Sequence, residues 1–269
     1  MKKITTILLV ALVFNSCGEY QKVLKSDDYN YKYSKAVAYY EAEDFNRAMP
    51  LFNELSTVLR GTAKMEEVSY YFAYCHYSAS DNLMAAYLFK NYTQNYPNGK
   101  HAEECAYMTA YCYYLEAPNY SLDATNNYKA INELQTFVDR FPNSDRIEKC
   151  NLLLDELRTI LSKKAFENAK QYFTTENYKS AIIALENVLI DFPSYTNREE
   201  VYFLIVKSSY LLAVNSISTK VSSRLKATLD AYAQFKDSYP NSDLIKDLQN
   251  TYNKTKQTLT EIKEKKDEI

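Results

Sequence analysis

Tyrosine and cysteine carry most of the side-chain chemistry this sequence offers, and they recur in phase. "YFAYCHY" occupies residues 71–77 and "YMTAYCYY" residues 107–114. At an offset of 37 residues Phe52 falls on Phe89, Glu66-Glu67 on Glu103-Glu104, Tyr70 on Tyr107, Ala73 on Ala110 and Tyr74-Cys75 on Tyr111-Cys112, without a gap. A phenol ring joins a large apolar face to a hydroxyl and loses little entropy when fixed, so a row of them suits holding a peptide. The parts needed for catalysis are missing. His76 and His101 are the only histidines and form no metal-ligand pair; with Gly18, Gly61 and Gly99 as the only glycines no phosphate loop is possible, and there is no G-x-S-x-G. The acidic pairs Glu66-Glu67 and Glu103-Glu104 are expected in the first turn of a helix, where carboxylates complement the helix dipole. The sequence therefore predicts a protein that is not an enzyme and has no cofactor and no metal.

Two kinds of cysteine are present. Cys75, Cys105, Cys112 and Cys150 invite disulfides, but Cys75 and Cys112 occupy equivalent slots on helices about 10 Å apart, whereas bridged Cα atoms lie about 4.4–6.8 Å apart. Cys105 and Cys112 sit two turns apart on one helix, about 10.5 Å at 1.5 Å per residue. Buried thiols acting as small hydrophobes are the expectation. Cys17 closes "MKKITTILLVALVFNSC", in which two lysines precede an apolar run too short to span a bilayer. The ending resembles a lipoprotein signal, with residues 1–16 removed and Cys17 acylated. Several acyl chains, each CH₂ contributing about 0.8 kcal/mol, would hold such a protein on a membrane.

Long helices must position these residues. The chain has three Gly, six Pro and no Trp beside 27 Tyr, a profile of helices joined by short turns. Its 32 basic and 34 acidic residues give a formal charge of −2, so a phosphate backbone is not favoured and nucleic acid is not an expected partner. Pro97, Pro142, Pro193 and Pro240 close similar phrases, "NYPNGKHAEEC", "RFPNSDRIEKC", "DFPSYTNREEV" and "SYPNSDLIKDL". Each reads as an aromatic ending one helix, a proline that cannot continue it, and a polar cap for the next. Ala85, Ala130, Ala181 and Thr228 precede these prolines by a constant step, and Ala73 and Ala169 repeat it; Ala36, Ala48 and Arg60 keep the same step in the first copy.

Small, small, then proline at this spacing resembles the tetratricopeptide repeat, a helix-turn-helix of about 34 residues in which small residues sit where the helices cross. The predicted fold is all-α: a right-handed superhelix of five tetratricopeptide-type helix pairs with a C-terminal capping helix. Repeats one to three span 29–144 and repeats four and five span 162–242. A tether covers 17–28, residues 145–161 connect the halves within one long helix from about 144 to 174, and 243–269 form the cap. "EAPNYSLDATNN" and "NSISTKVSSR" are expected as longer turns in repeats three and five.

In such a stack the first helix of each pair lines an inner groove. The inner positions are Tyr33, Val37 and Tyr40 in repeat one, Tyr70, Tyr74 and Tyr77 in repeat two, and Tyr107, Tyr111 and Tyr114 in repeat three. In repeats four and five they become Phe166, Lys170, Phe173, Ile205, Ser209 and Leu212. The eight tyrosines are the predicted peptide-binding residues. The competing expectation is that the rings fill the inside of the stack as core.

Cys17, the opening "CGEYQKVLKS", the repeat "YSKAVAYYEAEDFNRAMPLFNELS" and the long helix between repeats three and four are together similar to the BamD family of outer-membrane assembly lipoproteins. The resemblance covers essentially the whole chain. It implies a lipid-anchored scaffold on the periplasmic face of the outer membrane. N-terminal repeats would receive unfolded β-barrel proteins ending in an aromatic residue, and C-terminal repeats would hold a BamA-like barrel partner. Two other classes fit a lipid-anchored repeat protein: a Tol-Pal-type envelope adaptor and a glycan-binding lipoprotein of the SusD type. The short stretch 18–31 speaks against the first, and the absence of Trp and the modest length against the second.

Overall fold

The computed structural model describes residues 18–267, with side chains as far as residue 264. The predicted leader 1–16 and Cys17 lie outside the described residues. Among the described residues all regular structure is helical: α1 (18–24), α2 (Tyr29–Glu41), α3 (Phe45–Val58), α4 (Lys64–Ser78), α5 (Asn82–Asn95), α6 (Ala102–Leu115), α7 (Thr125–Arg140), α8 (Ile147–Thr174), α9 (Tyr178–Asp191), α10 (Arg198–Val214), α11 (Ser218–Ser238) and α12 (Ile245–Asp267). The chain divides into two compact units. The first runs to Pro118 and resumes over Asp123–Leu154; the second holds Asn119–Leu122 and everything from Asp155.

Consecutive helices pack as antiparallel pairs because the small residues let their axes approach. In unit 1, Ala36 and Ala48, Ala73 and Ala85, and Ala110 and Ala130 are fully buried. In unit 2, Ala169, Ala181, Ser208 and Thr228 take the same places and are as inaccessible. The predicted helix ends are observed as well. Tyr96, Phe141, Phe192 and Tyr239 each cap a helix, donating the backbone N–H to the carbonyl four residues back before the proline enforces the break. Repeat one, which has no such proline, instead turns at Gly61 with φ +83°.

The tight turns inside the pairs share one conformation. Glu43, Ser80 and Glu176 all adopt left-handed backbone, with φ of 58°, 60° and 62°. Each is followed by Asp44, Asp81 or Asn177 at the N-cap of the next helix.

Three features differ from the sequence expectation or extend it. First, "NSISTKVSSR" is not a long turn: only residues 215–217 are non-helical, and α11 begins at Ser218. Arg224 donates to the Ser216 hydroxyl, and that hydroxyl donates to the Leu212 carbonyl, so the connection is fastened from inside the helices. Second, residues 18–24 of the expected tether form a helix packed into the first repeat. Val23 is fully buried beside Leu51 and Phe52, Tyr20 donates to the Arg47 carbonyl at 3.2 Å, and the buried Lys32 ammonium donates to the Leu24 carbonyl at 3.1 Å and pairs with Glu54 at 2.6 Å. Third, Cys75, Cys105, Cys112 and Cys150 are free and buried.

Unit 2 has its own core. Phe166 and Ala169 of α8 pack with Leu185 and Val188 of α9 and with Val201, Leu204 and Ile205 of α10. Leu248 of α12 closes the far end against Val206, Tyr232 and Phe235.

Candidate peptide-binding face

The eight tyrosines all lie on α2, α4 and α6, the first helices of the three pairs in unit 1. Seven are half-buried; Tyr107, 6% exposed, is buried. Two cavities lie away from them. One of about 550 Å³ is lined by residues including Arg60, Met65, Phe72 and Tyr96, and one of about 560 Å³ in unit 2 by Phe166, Lys170, Tyr195 and Glu200 among others.

Carboxylates from the following repeat take up several of the hydroxyls. Tyr33 donates to Glu67 in a short hydrogen bond. Tyr70 and Tyr74 both donate to Glu104, at 3.2 and 2.5 Å, and Tyr92 of α5 donates to Glu66 at 2.6 Å. Glu66 also accepts the Lys100 backbone N–H at 3.0 Å, and Glu103 accepts from the Ser144 hydroxyl at 2.6 Å. The acidic pairs therefore do more than complement helix dipoles: Glu67 and Glu104 bridge one repeat to the one before it, while Glu66 and Glu103 fasten the ends of their own repeats. Burial, and next the bonded or neighbouring carboxylate, raises the pKa of Tyr33, Tyr70, Tyr74 and Tyr92 above the usual phenol range. Tyr40 is pushed up to about 12, chiefly by burial.

Ring contacts divide the eight further. Tyr40 packs on Tyr71 at 4.7 Å and on Phe45 at 5.6 Å, and with Tyr33 it flanks the core of the first repeat. Tyr70 stacks on His101 at 3.9 Å, and Tyr74 meets Phe89 edge-on at 5.0 Å. Along α6, Tyr107, Tyr111 and Tyr114 stand nearly parallel, with successive centroids 5.7 and 6.0 Å apart and interplanar angles of 13° and 18°. Tyr77 meets Tyr74 edge-on at 6.2 Å. Thus Tyr33, Tyr40, Tyr70, Tyr74 and Tyr107 are engaged in holding the repeats together. Tyr77, Tyr111 and Tyr114 are half-buried and contact other tyrosine rings of the set.

Two cations missed by the sequence reading border this part. Arg146, just before α8, lies 5.2 Å from the Tyr107 ring; Lys149, in the first turn of α8, lies 5.0 Å from Tyr111 and 5.5 Å from Tyr107. Their signal was in the phrase "NSDRIEKC", but only the fold brings the start of α8 to the tyrosines.

The corresponding face of unit 2 is different. Phe166, Ile205 and Ser209 are buried, Phe173 and Leu212 are half-buried, and Lys170 pairs with Glu200 at 2.7 Å. Among the described residues, no group of three or more His, Cys, Asp and Glu side chains could hold a metal ion. No described helix is long and apolar enough to cross a membrane.

Residues 25–225 match the model of a family described as YfiO, outer membrane lipoprotein. The chain belongs to this family. The resemblance drawn from Cys17 and the repeats is met at that level: an outer membrane lipoprotein built from tetratricopeptide-type helix pairs. No curated protein matches the chain. Among solved structures it is similar to the TPR2AB domain of yeast Sti1 in complex with pHSP90, at 16% identity and a TM-score of 0.40, covering 85% of this chain and 98% of that one. It is also similar to the TPR domain of P58(IPK), at 14% identity and a TM-score of 0.43, covering 90% of this chain and 62% of that one.

Proposed function

We propose that the protein is a lipid-anchored scaffold of the machinery that assembles outer-membrane β-barrels, standing on the periplasmic face with Cys17 acylated. Its first three repeats take the aromatic end of an unfolded barrel protein, and its C-terminal repeats hold a BamA-like barrel partner. Family membership supports the outer-membrane setting. The observation that carries the peptide role is the row of rings on neighbouring helices: Tyr77 on α4 and Tyr111 and Tyr114 on α6, half-exposed on a surface otherwise fastened by tyrosine–carboxylate bonds. Aromatic pairs contribute about 0.5–1.5 kcal/mol beyond burial, so two lost rings are worth about a decade in affinity. The C-terminal repeats, which lack the tyrosine lining, are assigned the stable barrel partner.

The test replaces Tyr77 and Tyr111 together by Ala and measures binding of a peptide ending in a barrel-strand aromatic. About tenfold weaker binding at an unchanged melting temperature is expected. Unchanged binding in a folded variant overturns the peptide role of these rings. Partners co-purified from detergent-solubilised outer membranes test the wider reading: a barrel with periplasmic domains is expected. A Pal-type protein or a TonB-dependent transporter in its place would overturn it.

A further inference from the structure

The first repeat has a side turned away from the rest of unit 1. Tyr33 reaches Glu67 of the second repeat, whereas Tyr31, two residues and about 200° earlier on α2, points the other way. Tyr31 is 38% exposed, and with Ser34, Lys35 and Ala38 it makes an outward stripe of α2 that carries no acid. The Ser34 hydroxyl is satisfied within the helix, donating to the Tyr31 carbonyl at 2.8 Å, and the Lys35 ammonium lies 5.8 Å from the Tyr31 ring. Lys35 also pairs with Glu19 of α1 at 3.0 Å, which ties the stripe to the start of α1. Lys35, and less strongly Lys22, hold the Glu19 carboxyl below the usual carboxylate range.

A seven-residue helix does not hold itself in water, and α1 is clasped at both ends. Near its start Tyr20 meets Tyr39 edge-on at 5.7 Å and donates to the Arg47 carbonyl. At its end the Lys32 ammonium, buried with Glu54, donates to the Leu24 carbonyl, where a cation also complements the helix dipole. The residue before Gly18 is Cys17, and consecutive Cα atoms are about 3.8 Å apart. No residue then separates the acylated position from the docked helix.

We propose that α1 is a stalk and not a tether: it seats the outer stripe of α2, with Tyr31 and Lys35 foremost, on the phospholipid headgroups beside the acylated Cys17. The inference rests on the acylation reading above and adds to it the orientation of the first repeat. A tyrosine at headgroup level with a lysine beside it suits the interface, where the ring meets the upper acyl chains and the ammonium the phosphates. Lys22, Lys25 and Lys35 are balanced by Glu19, Asp27 and Asp28, so the contact does not require anionic lipid. The acyl chains supply the affinity, and the clasp on α1 turns it into orientation.

The test uses the acylated full chain reconstituted into vesicles of phosphatidylethanolamine and phosphatidylglycerol brominated in the upper acyl chain. The sequence has no Trp, so Tyr31→Trp supplies a single indole, and Tyr128→Trp, at a 60% exposed position on α7 in the third repeat, supplies the control. Brominated lipid is expected to remove about half of the emission of the first and little of the second. A Gly/Ser spacer of about twelve residues between Cys17 and Gly18 lets the body drift by about 20 Å. It should bring Tyr31→Trp to the level of the control while the chain stays with the vesicles and its melting temperature is unchanged. No quenching of Tyr31→Trp in a vesicle-bound chain overturns the seat on the headgroups and leaves the acylation reading intact. Equal quenching of the two positions overturns the fixed orientation. Quenching that survives the spacer overturns the stalk, since the stripe would then find lipid without α1. A chain that does not float with the vesicles removes the acylation reading, and the inference with it.

Discussion

The two units solve the same packing problem with different side chains. In unit 1, Tyr74 reaches forward 30 residues to Glu104; in unit 2, Lys170 reaches forward by the same 30 residues to Glu200. Both bonds link the first helix of one repeat to the first helix of the next. A tyrosine there keeps a ring on the face and makes the neighbouring tyrosines worthwhile as a surface. A lysine there makes a partly exposed ion pair between buried Phe166 and Ile205. The repeat backbone is thus indifferent to which face it displays. What distinguishes the two faces is the chemistry placed at the bridging position.

The largest expected effect comes from removing a bridge. Glu104→Ala deprives both Tyr70 and Tyr74 of their acceptor, and the hydroxyl of Tyr74 is left in a largely desolvated place, so a loss of about 2–3 kcal/mol in chemical denaturation is expected. Glu200→Ala in unit 2 breaks a pair that water already screens, and should cost less than about 1 kcal/mol. Equal losses would show that the two bridges are not different in kind.

Alkaline pH gives the next effect. Tyr33, Tyr70 and Tyr74 have folded-state pKa values raised above their unfolded values, and Tyr40 is raised to about 12. The folded state therefore holds these protons longer than the unfolded state. Their contribution is fully present below the unfolded tyrosine pKa of about 10 and is lost as pH rises from there through the folded values. Thermal unfolding followed by circular dichroism should show the melting temperature falling steeply above about pH 10. Replacing Tyr33, Tyr70 and Tyr74 by Phe should flatten the fall more than Tyr195→Phe in unit 2, where one phenol is raised to about 12 by burial and then by Glu200.

Where the units agree, mutations should agree. Ser80→Gly in unit 1 and Glu176→Gly in unit 2 each relieve a left-handed residue in the same kind of turn, and each should gain a similar amount, up to about 1 kcal/mol in denaturant midpoint analysis. A gain in one unit only would mean that these turns are not equivalent.

Much of this architecture was legible in the sequence because it depends on local chemistry. Ala73, Ala85 and Pro97 announce a helix crossing and a helix end whatever surrounds them, and the structure places them accordingly. The tyrosine row was legible for the same reason, since helical spacing alone puts Tyr107, Tyr111 and Tyr114 on one side. What spacing could not give was the partner of each side chain. Glu67 and Glu104 look like first-turn acids until the preceding repeat is stacked beside them, and Lys149 reaches Tyr111 only because the first turn of α8 lies against the α6 rings. Residues 215–224 misled for the opposite reason: four serines and the β-branched Ile217, Thr219 and Val221 are poor helix formers locally, whereas Leu225 and Thr228, both buried in α11, hold the segment helical from within the fold.

Photo-crosslinking tests the central claim most directly. A peptide ending in a photoreactive phenylalanine analogue, irradiated with the full chain and mapped by mass spectrometry, should mark α4 and α6 around Tyr77, Tyr111 and Tyr114, and an excess of unlabelled peptide should suppress the adducts. Competable adducts confined to unit 2, around Phe166 and Tyr195, would contradict the assignment of peptide binding to the tyrosine face.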